Sequence, residues 1–237
     1  MIINKPYILS GIKKTTPEVT TFTFKSQDGS SMDFIPGMFA MLYHKDPSTG
    51  ESIGRAFSIA NPPPSDSLQF FISMIHGKFT SKLDAAKIGD IYYVSGPYGQ
   101  FKFDFSAQTK FLFLAGGTGL APFFSMLESI RGKGKSADGV LIYSTKYAND
   151  IIEKDQLEKI SQDTGFKLTV TVTRSQDGDG WTGEKGHVDA SMILKYAPDC
   201  KERISYICGP PGFVKAVKEA LISLGVNEKM IKAEMWG

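Results

Sequence analysis

The sequence is short of cysteine, histidine and long apolar runs, and each shortage excludes a class of protein. Two cysteines among 237 residues, Cys200 and Cys208, are too few for a disulfide framework and wrongly arranged for a zinc or iron–sulfur site. The longest strongly apolar stretch, around residues 111–115, is far below the ~20 residues that span a bilayer. The first residues lack the charged-then-apolar order of a signal peptide. We therefore expect a cytoplasmic globular protein without a membrane span.

The chain also has no large excess of positive or negative charge, because 27 Lys+Arg against 25 Asp+Glu give a net charge of +2. Without a dense basic stripe, no nucleic-acid partner is expected. Three scattered histidines show no metal-ligand spacing, so no metal site is predicted. Arginine is scarce enough that each copy is a candidate for a specific role: Arg55, Arg131, Arg174 and Arg203.

The first hundred residues have the alternating periodicity of β-strands. Apolar and polar residues alternate over residues 20–25, and five less regular segments resemble it: 7–14, 39–43, 56–59, 68–75 and 90–94. Turn clusters rich in glycine and proline separate these segments, and no helical pattern interrupts them. The pattern predicts a small antiparallel barrel or sandwich over residues 1–105.

From residue 106 to residue 237, strand and helix patterns alternate. A continuous apolar run over residues 110–115, ending in glycines, is typical of a strand buried on both faces. Further strands are expected at 140–144, 168–172, 204–208 and 230–234, and helices at 122–130, 151–160, 190–196 and 213–224. The alternation predicts a doubly wound parallel α/β sheet.

Two glycine turns join strands to helices in the second half. The first reads Gly116-Gly117-Thr118-Gly119-Leu120-Ala121-Pro122, and the second reads Cys208-Gly209-Pro210-Pro211-Gly212. Glycines let the backbone approach a ligand, and the free N–H groups of a helix start suit a pyrophosphate. Because ligands of parallel sheets lie at the carboxyl ends of the strands, both turns are expected to line one crevice. A purely structural turn, and an inert core role for Cys208, are the alternatives.

Two further motifs stand in the first half. Arg55-Ala56-Phe57-Ser58 places a scarce arginine inside an apolar strand, where its guanidinium can pair with a phosphate. Gly77-Lys78-Phe79-Thr80-Ser81 is predicted to be a short polar loop able to cap phosphate oxygens. A strand with a solvated arginine and an ordinary hairpin connection are the alternatives.

Taken in order, these motifs resemble those of the ferredoxin–NADP reductase superfamily of flavoproteins. The same order includes a turn over residues 96–99 and the terminal Glu234-Met235-Trp236, so six motifs cover nearly the whole chain. The resemblance implies an N-terminal antiparallel six-stranded β-barrel that binds flavin. It also implies a C-terminal doubly wound parallel α/β sheet that binds NAD(P).

The resemblance also implies roles for residues of the barrel. Arg55 would neutralise the flavin pyrophosphate, Ser58 would hydrogen-bond flavin N5, and Phe57 would pack on the isoalloxazine, where the family more often has Tyr. The other expected flavin contacts are Ala56, Ile72, Ser73, Gly77, Lys78, Phe79 and Thr80.

On the nicotinamide side, the resemblance makes Cys208 and Glu234 the flanking residues, which with Ser58 form the catalytic set. Trp236 would cover the flavin face as a gate, although anchoring the last strand is an alternative role. The other expected contacts to the nicotinamide coenzyme are Gly116, Gly117, Thr118, Gly119, Pro122, Gly209, Pro210 and Pro211.

The choice of coenzyme depends on the ends of the second and third parallel strands. Lys146 and Arg174 stand there, able to meet a 2′-phosphate, and no carboxylate directly opposes them in the sequence. NADPH is favoured on this ground, with NADH as the alternative. The flavin is expected to be FAD rather than FMN.

The expected activity is that of a flavoprotein reductase, which passes electrons from NADPH or NADH through bound FAD to a separate protein. That acceptor would be an iron–sulfur protein, a flavodoxin or a haem protein, because the chain has no cluster-binding cysteines. A free-flavin reductase and a non-catalytic electron-transfer subunit of a larger complex are the alternatives.

Overall fold

Two six-stranded sheets follow one another along the chain. The computed structural model describes residues 2–46, 49–105, 110–175, 178 and 180–236. The strands of the first sheet are β1 (Ile2–Lys14), β2 (Val19–Ser26), β3 (Phe39–Lys45), β4 (Ser52–Ser58), β5 (Ser67–Ser73) and β6 (Ile91–Tyr98). They pair antiparallel in the order β4-β3-β6-β1-β2-β5, and the two edge strands β4 and β5 contact each other. The expected six-stranded antiparallel barrel is thus confirmed.

Alternation along the strands fills the barrel with aromatic rings. Phe22 and Phe24 point inward from β2, while Thr23 between them faces the other side of the sheet. The ring of Phe24 contacts those of Phe70 and Tyr92, with centroids 6.0 and 5.1 Å away. This dense core holds β4 and β5 in place beside the cleft described below.

One helix interrupts the strands, contrary to the sequence prediction. α1 (Lys78–Asp84) begins where a polar loop was expected, and its residues Phe79 and Leu83, one turn apart, are each only 2% exposed in the barrel core. Seven residues are too few for a helical period to stand out from the neighbouring strand patterns, so the prediction of a loop at residues 77–81 was wrong.

The second sheet is parallel throughout. Its strands are β7 (Phe111–Gly116), β8 (Gly139–Thr145), β9 (Phe166–Val172), β10 (Glu184–Lys185), β11 (Ile204–Gly209) and β12 (Ile231–Met235), in the order β10-β9-β8-β7-β11-β12. The helices are α2 (Leu120–Gly132), α3 (Lys154–Thr164), α4 (Ala190–Tyr196) and α5 (Pro211–Ser223). α2 and α3 contribute to the core on one face, and α4 and α5 to the core on the other. The doubly wound sheet is confirmed, and only the two-residue β10 was not expected.

α2 joins the two halves of the molecule. It is buried on nearly all sides, because one face packs on the parallel sheet while the ring of Phe124 meets that of Phe71 in the barrel, 5.3 Å between centroids. The hydroxyl of Ser125 donates to the carbonyl of Asn61 at 2.8 Å. The start of α2, with its glycine turn, is therefore held against the barrel. The expected domain boundary between residues 105 and 106 lies beside residues outside the described ranges and stays a prediction.

Within the described ranges, every helix is too short or too polar to cross a membrane.

Candidate functional site

A cavity of about 240 Å³ lies where the barrel meets the parallel sheet. Four separate stretches of chain supply its walls, and eleven of its lining residues were singled out from the sequence: Arg55, Ala56, Phe57, Ser58, Ser73, Gly77, Lys78, Phe79, Thr80, Thr118 and Trp236. Three more were missed: Phe71, Ile75 and Ala121. Successive side chains of β5 point to opposite faces, so Phe71 lies on the same face as Ser73. This alternation could have identified Phe71 as a lining residue.

A larger groove of about 820 Å³ also lies between the halves, among residues 34–36, 62–63 and 102–105 and the end of α2. None of the predicted site residues line it. Size alone does not make a binding site, whereas convergent polar groups do, so the smaller cavity is the candidate.

β4 brings Arg55 and Ser58 to the cavity. Arg55 is exposed and has no carboxylate partner among the described residues, which leaves its guanidinium able to pair with an anion. Ser58 is only 4% exposed, and its buried Oγ has no hydrogen-bond partner within the described ranges. The ring of Phe57 packs against those of Phe70 and Phe79, 6.1 and 5.7 Å between centroids, as well as lining the cavity.

β5 and α1 form the neighbouring wall. Ser73 reaches the cavity, but the side chain of Ile72 faces the barrel core and is 1% exposed, since successive residues of a strand point to opposite sides. The side chain of Ile72 is therefore directed away from the cavity, and its place in the segment beside the flavin stays a prediction. Thr80 Oγ1 donates to the carbonyl of Gly77 at 3.3 Å and fixes the first turn of α1.

The two glycine turns meet, as expected from the strand order. A Cβ built on Gly119 would lie 2.2 Å from the carbonyl oxygen of Cys208, so only glycine permits the approach. The ring of Phe213 covers both turns, because a Cβ on Gly116 or Gly209 would lie 3.0 or 2.9 Å from it. Thr118 reaches the cavity from this place, whereas Pro122 is buried in the first turn of α2 and Pro210 and Pro211 are exposed at the start of α5.

Cys208 and Glu234 are direct neighbours in the register of β11 and β12. Cys208 is fully buried, and burial, reinforced by the Glu234 carboxylate, raises the pKa of its thiol well above the ordinary value. Burial likewise raises the pKa of Glu234 from 4.5 to about 7. Glu234 Oε2 is buried without a hydrogen-bond partner among the described residues. Glu234 is thus a carboxyl group that both holds and releases a proton near neutral pH, whereas the thiol of Cys208 stays protonated.

At the ends of β8 and β9, the sequence prediction needs correction. Arg174 N donates to the carbonyl of Lys146 at 2.9 Å, so the two predicted cations are neighbours as expected. However, Lys146 Nζ lies 3.1 Å from Glu18 Oε2, a carboxylate of the barrel. The expectation that no carboxylate opposes these cations was therefore wrong. The sequence did not reveal the pair because Glu18 lies 128 positions from Lys146 along the chain.

The residues of the cavity fit an FAD molecule on three counts. Arg55 is an unpaired guanidinium suited to a pyrophosphate, and Ser58 Oγ is a buried hydroxyl whose hydrogen bond is left to a ligand. Trp236 supplies a flat indole at the same cavity. Across the described ranges, the acidic, histidine and cysteine side chains form no group able to hold a metal ion.

Comparison with protein families gives two matches, one in each half of the chain. Residues 6–103 match the oxidoreductase FAD-binding domain, and residues 113–219 match the oxidoreductase NAD-binding domain. These matches confirm the expected pair of cofactors, FAD and a nicotinamide coenzyme.

Individual proteins agree with the family matches. The chain is 32% identical over 227 residues to a glycine betaine monooxygenase reductase subunit of Pseudomonas aeruginosa, covering 94% of this chain and 61% of the relative. It is 28% identical to ferredoxin–NADP reductase B of Sorangium cellulosum, over 96% of both chains. The FAD/NAD-binding domain of nitric oxide dioxygenase from Vibrio cholerae has the same fold, with a TM-score of 0.89, 17% identity and full coverage of both chains.

The first of these relatives is longer, and this chain spans about three fifths of its length. The FAD- and NAD-binding matches nevertheless cover both halves of the chain, and the Sorangium relative is matched over nearly its whole length. The chain therefore belongs to the ferredoxin–NADP reductase superfamily of FAD- and NAD(P)-binding oxidoreductases.

Proposed function

We propose that this chain oxidises NADPH or NADH with bound FAD and passes the electrons to an acceptor outside these 237 residues. The observation that carries the proposal is the shared cavity, in which Arg55 and Ser58 of the barrel meet Thr118 of the parallel sheet and Trp236. A flavin lying there would have the nucleotide turns directly beside it.

The barrel residues hold the flavin in this proposal. Arg55 neutralises its pyrophosphate, and the first turn of α1 offers the backbone N–H groups of Lys78, Phe79 and Thr80. Ser58 directs its unpaired hydroxyl at the ring system. The flavin, when bound, supplies the capacity to accept a hydride from the coenzyme and release its two electrons singly.

The parallel sheet positions the coenzyme. The turn at residues 116–119 and the start of α2 bind its pyrophosphate, and Gly119 brings this turn against Cys208. Glu234, with its pKa of about 7, holds the proton that the reaction exchanges with solvent. Trp236 excludes water from the cavity until the coenzyme displaces it.

The acceptor is proposed to be an iron–sulfur protein, a flavodoxin or a haem protein. Two buried cysteines cannot supply the four thiolates of an iron–sulfur cluster. The Pseudomonas relative is named as the reductase subunit of a monooxygenase, which supports an oxygenase component as one such acceptor. We also propose a cytoplasmic location, which the two free thiols support.

Cofactor binding tests the proposal directly. The purified protein should be yellow, and either NADPH or NADH should bleach its flavin band near ~450 nm in a stopped-flow experiment. Retention of flavin through gel filtration separates a reductase with bound FAD from an enzyme that uses free flavin as substrate. A colourless protein that takes up no added FAD would contradict the proposal.

Two arginines provide matched variants. Arg55→Met should weaken FAD binding by roughly 10- to 100-fold, because a charge-assisted pair to phosphate is lost, while Arg174→Met should leave FAD binding unchanged. Both affinities are measured by fluorescence titration of the apoprotein. Equal FAD affinity of Arg55→Met and wild type would remove Arg55 from the site.

A further inference from the structure

Glu18 of the barrel lies against the nucleotide half of the molecule. Its carboxylate is 3.1 Å from Lys146 Nζ, directly after β8, and its charge also acts on Arg174 and on Asp150. Two cations and two carboxylates from both halves thus meet at the carboxyl ends of β8 and β9.

The backbone fixes Glu18 in this position. The turn between β1 and β2 is closed by Thr16, whose Oγ1 accepts from Val19 N at 3.0 Å, and the carbonyl of Glu18 accepts from Met74 N at 2.8 Å. Met74 follows β5, a wall of the cavity. Glu18 is therefore tied to the barrel on both sides and is not part of a loose tail.

The strand order shows which part of the coenzyme comes to this place. The phosphate-binding turn follows β7, and β8 is the next strand along the chain and in the sheet. In dinucleotide-binding sheets, the residue at the end of this second strand meets the adenosine ribose, where NAD has a hydroxyl and NADP has a phosphate. Lys146 follows that end, so the ion pair between Glu18 and Lys146 stands where the two coenzymes differ.

We propose that Glu18, a residue of the flavin half, determines coenzyme selectivity by occupying Lys146 and repelling a 2′-phosphate. This inference rests on the proposed function. A dianionic phosphate requires cations, and of the two beside it Lys146 is paired with Glu18. Arg174 remains the only one of the pair without a carboxylate at ion-pair distance among the described residues. The arrangement penalises NADPH relative to NADH.

A second ion pair, made by a residue near the end of β1, supplies the control. Lys13 Nζ lies 2.7 Å from Glu153 Oε2 and also joins the barrel to the nucleotide half. Its removal loosens the contact between the halves to a similar degree but changes no charge on Lys146. A general effect of domain contact and a specific effect of Glu18 are thereby distinguished.

The test uses the adenosine fragments of the two coenzymes and needs no turnover. We expect Glu18→Gln to bind adenosine 2′,5′-bisphosphate roughly tenfold more tightly than wild type by calorimetry, while adenosine 5′-monophosphate changes less than about twofold. Lys13→Met should change neither affinity. The gain should shrink at ~0.5 M salt, because the groups are exposed and screened.

Three results would overturn the inference: an unchanged bisphosphate affinity in Glu18→Gln, the same gain in Lys13→Met, or binding of neither fragment. In the FAD-loaded protein, Glu18→Gln should raise kcat/KM for NADPH relative to NADH by the same factor. If neither coenzyme reduces the flavin while the fragment affinities shift as expected, the proposed function fails and the role of Glu18 is supported.

Discussion

At the amino end of the parallel sheet, all three guanidinium nitrogens of a buried arginine donate hydrogen bonds, whereas beside the cleft a buried hydroxyl and a buried carboxylate oxygen have no partner among the described residues. The guanidinium of Arg203, 6% exposed, donates to both carboxylate oxygens of Asp199, to Asp138 and to the carbonyl of Phe111. Beside the cleft, Ser58 Oγ and Glu234 Oε2 lack partners within the described part of the chain.

The contrast separates stability from binding. A buried polar group without a partner is costly, so Ser58 Oγ, which also lines the cavity, is a candidate for completion by a ligand. Ser205 Oγ, in β11, is unpaired as well within the described ranges but does not line the cavity. The network around Arg203 ties together the starts of β7, β8 and β11, none of which lines the cavity. Substitutions at the two places should therefore differ in kind: loss of the Arg203 network should lower the free energy of unfolding, whereas loss of an unpaired polar atom should not lower it.

The largest effect on unfolding is expected at Arg203. Arg203→Met should lower the free energy of unfolding by about 3 kcal/mol, because Asp199 and Asp138 lose their cation. Urea denaturation measures it, and Lys218→Met, which breaks an exposed pair, should cost less than about 0.5 kcal/mol. Similar losses in the two variants would contradict the contrast.

The same network predicts acid sensitivity. Arg203, followed by Lys110, lowers the pKa of Asp199 from 3.8 to about 2. Since the folded pKa is depressed, the stabilisation is present above pH 3.8 and is lost as the pH falls through about 2. Arg203→Met should unfold with a weaker pH dependence between these values.

Gly119→Ala should impair use of the coenzyme as well as lower stability. The added methyl group would meet the Cys208 carbonyl at 2.2 Å and push the two turns apart. We expect kcat/KM for the coenzyme to fall about 100-fold. Gly132→Ala is the control, since nothing lies within 4 Å of a Cβ there. A normal rate in Gly119→Ala would show that the close approach is not needed.

Glu234→Gln should make unfolding less dependent on pH. Because burial raises the pKa of Glu234 from 4.5 to about 7, its contribution to stability is present below pH 4.5 and is lost as the pH rises through 7. The glutamine variant should therefore gain about 1–2 kcal/mol relative to wild type between pH 5 and pH 8, after allowance for the partial exposure of the group. Glu228→Gln, at an exposed position, should show no such gain.

The smallest effect is expected at Ser58. Removing its unpaired hydroxyl in Ser58→Ala should change the stability of the apoprotein by less than about 0.5 kcal/mol. Ser125→Ala should cost about 1 kcal/mol, because that buried hydroxyl donates to Asn61. Equal losses in thermal unfolding would mean that the Ser58 hydroxyl has a partner in the apoprotein.

Much of the site was predictable because its motifs are local. A strand, a glycine turn and a helix start follow one another in the chain, so the prediction that residues 116–119 bind an anion needs no distant contact. Which face of β5 meets the cavity was harder to predict. A shift of one residue in the strand pattern would turn Ile72 toward the cavity in place of its neighbours Phe71 and Ser73. α1 was missed because its two buried residues are too few to show a period.

The sequence alone determined the two halves, the order of the motifs and the chemical groups available to an anion. These depend on periodicity and on residue type over short stretches. Only the tertiary structure decided that Trp236 reaches the same cavity as Arg55, that Gly119 contacts Cys208, and that Glu18 pairs with Lys146. Each of these pairs joins separate elements, and their distances are set by how the barrel packs on α2 and the sheet, which no local pattern encodes.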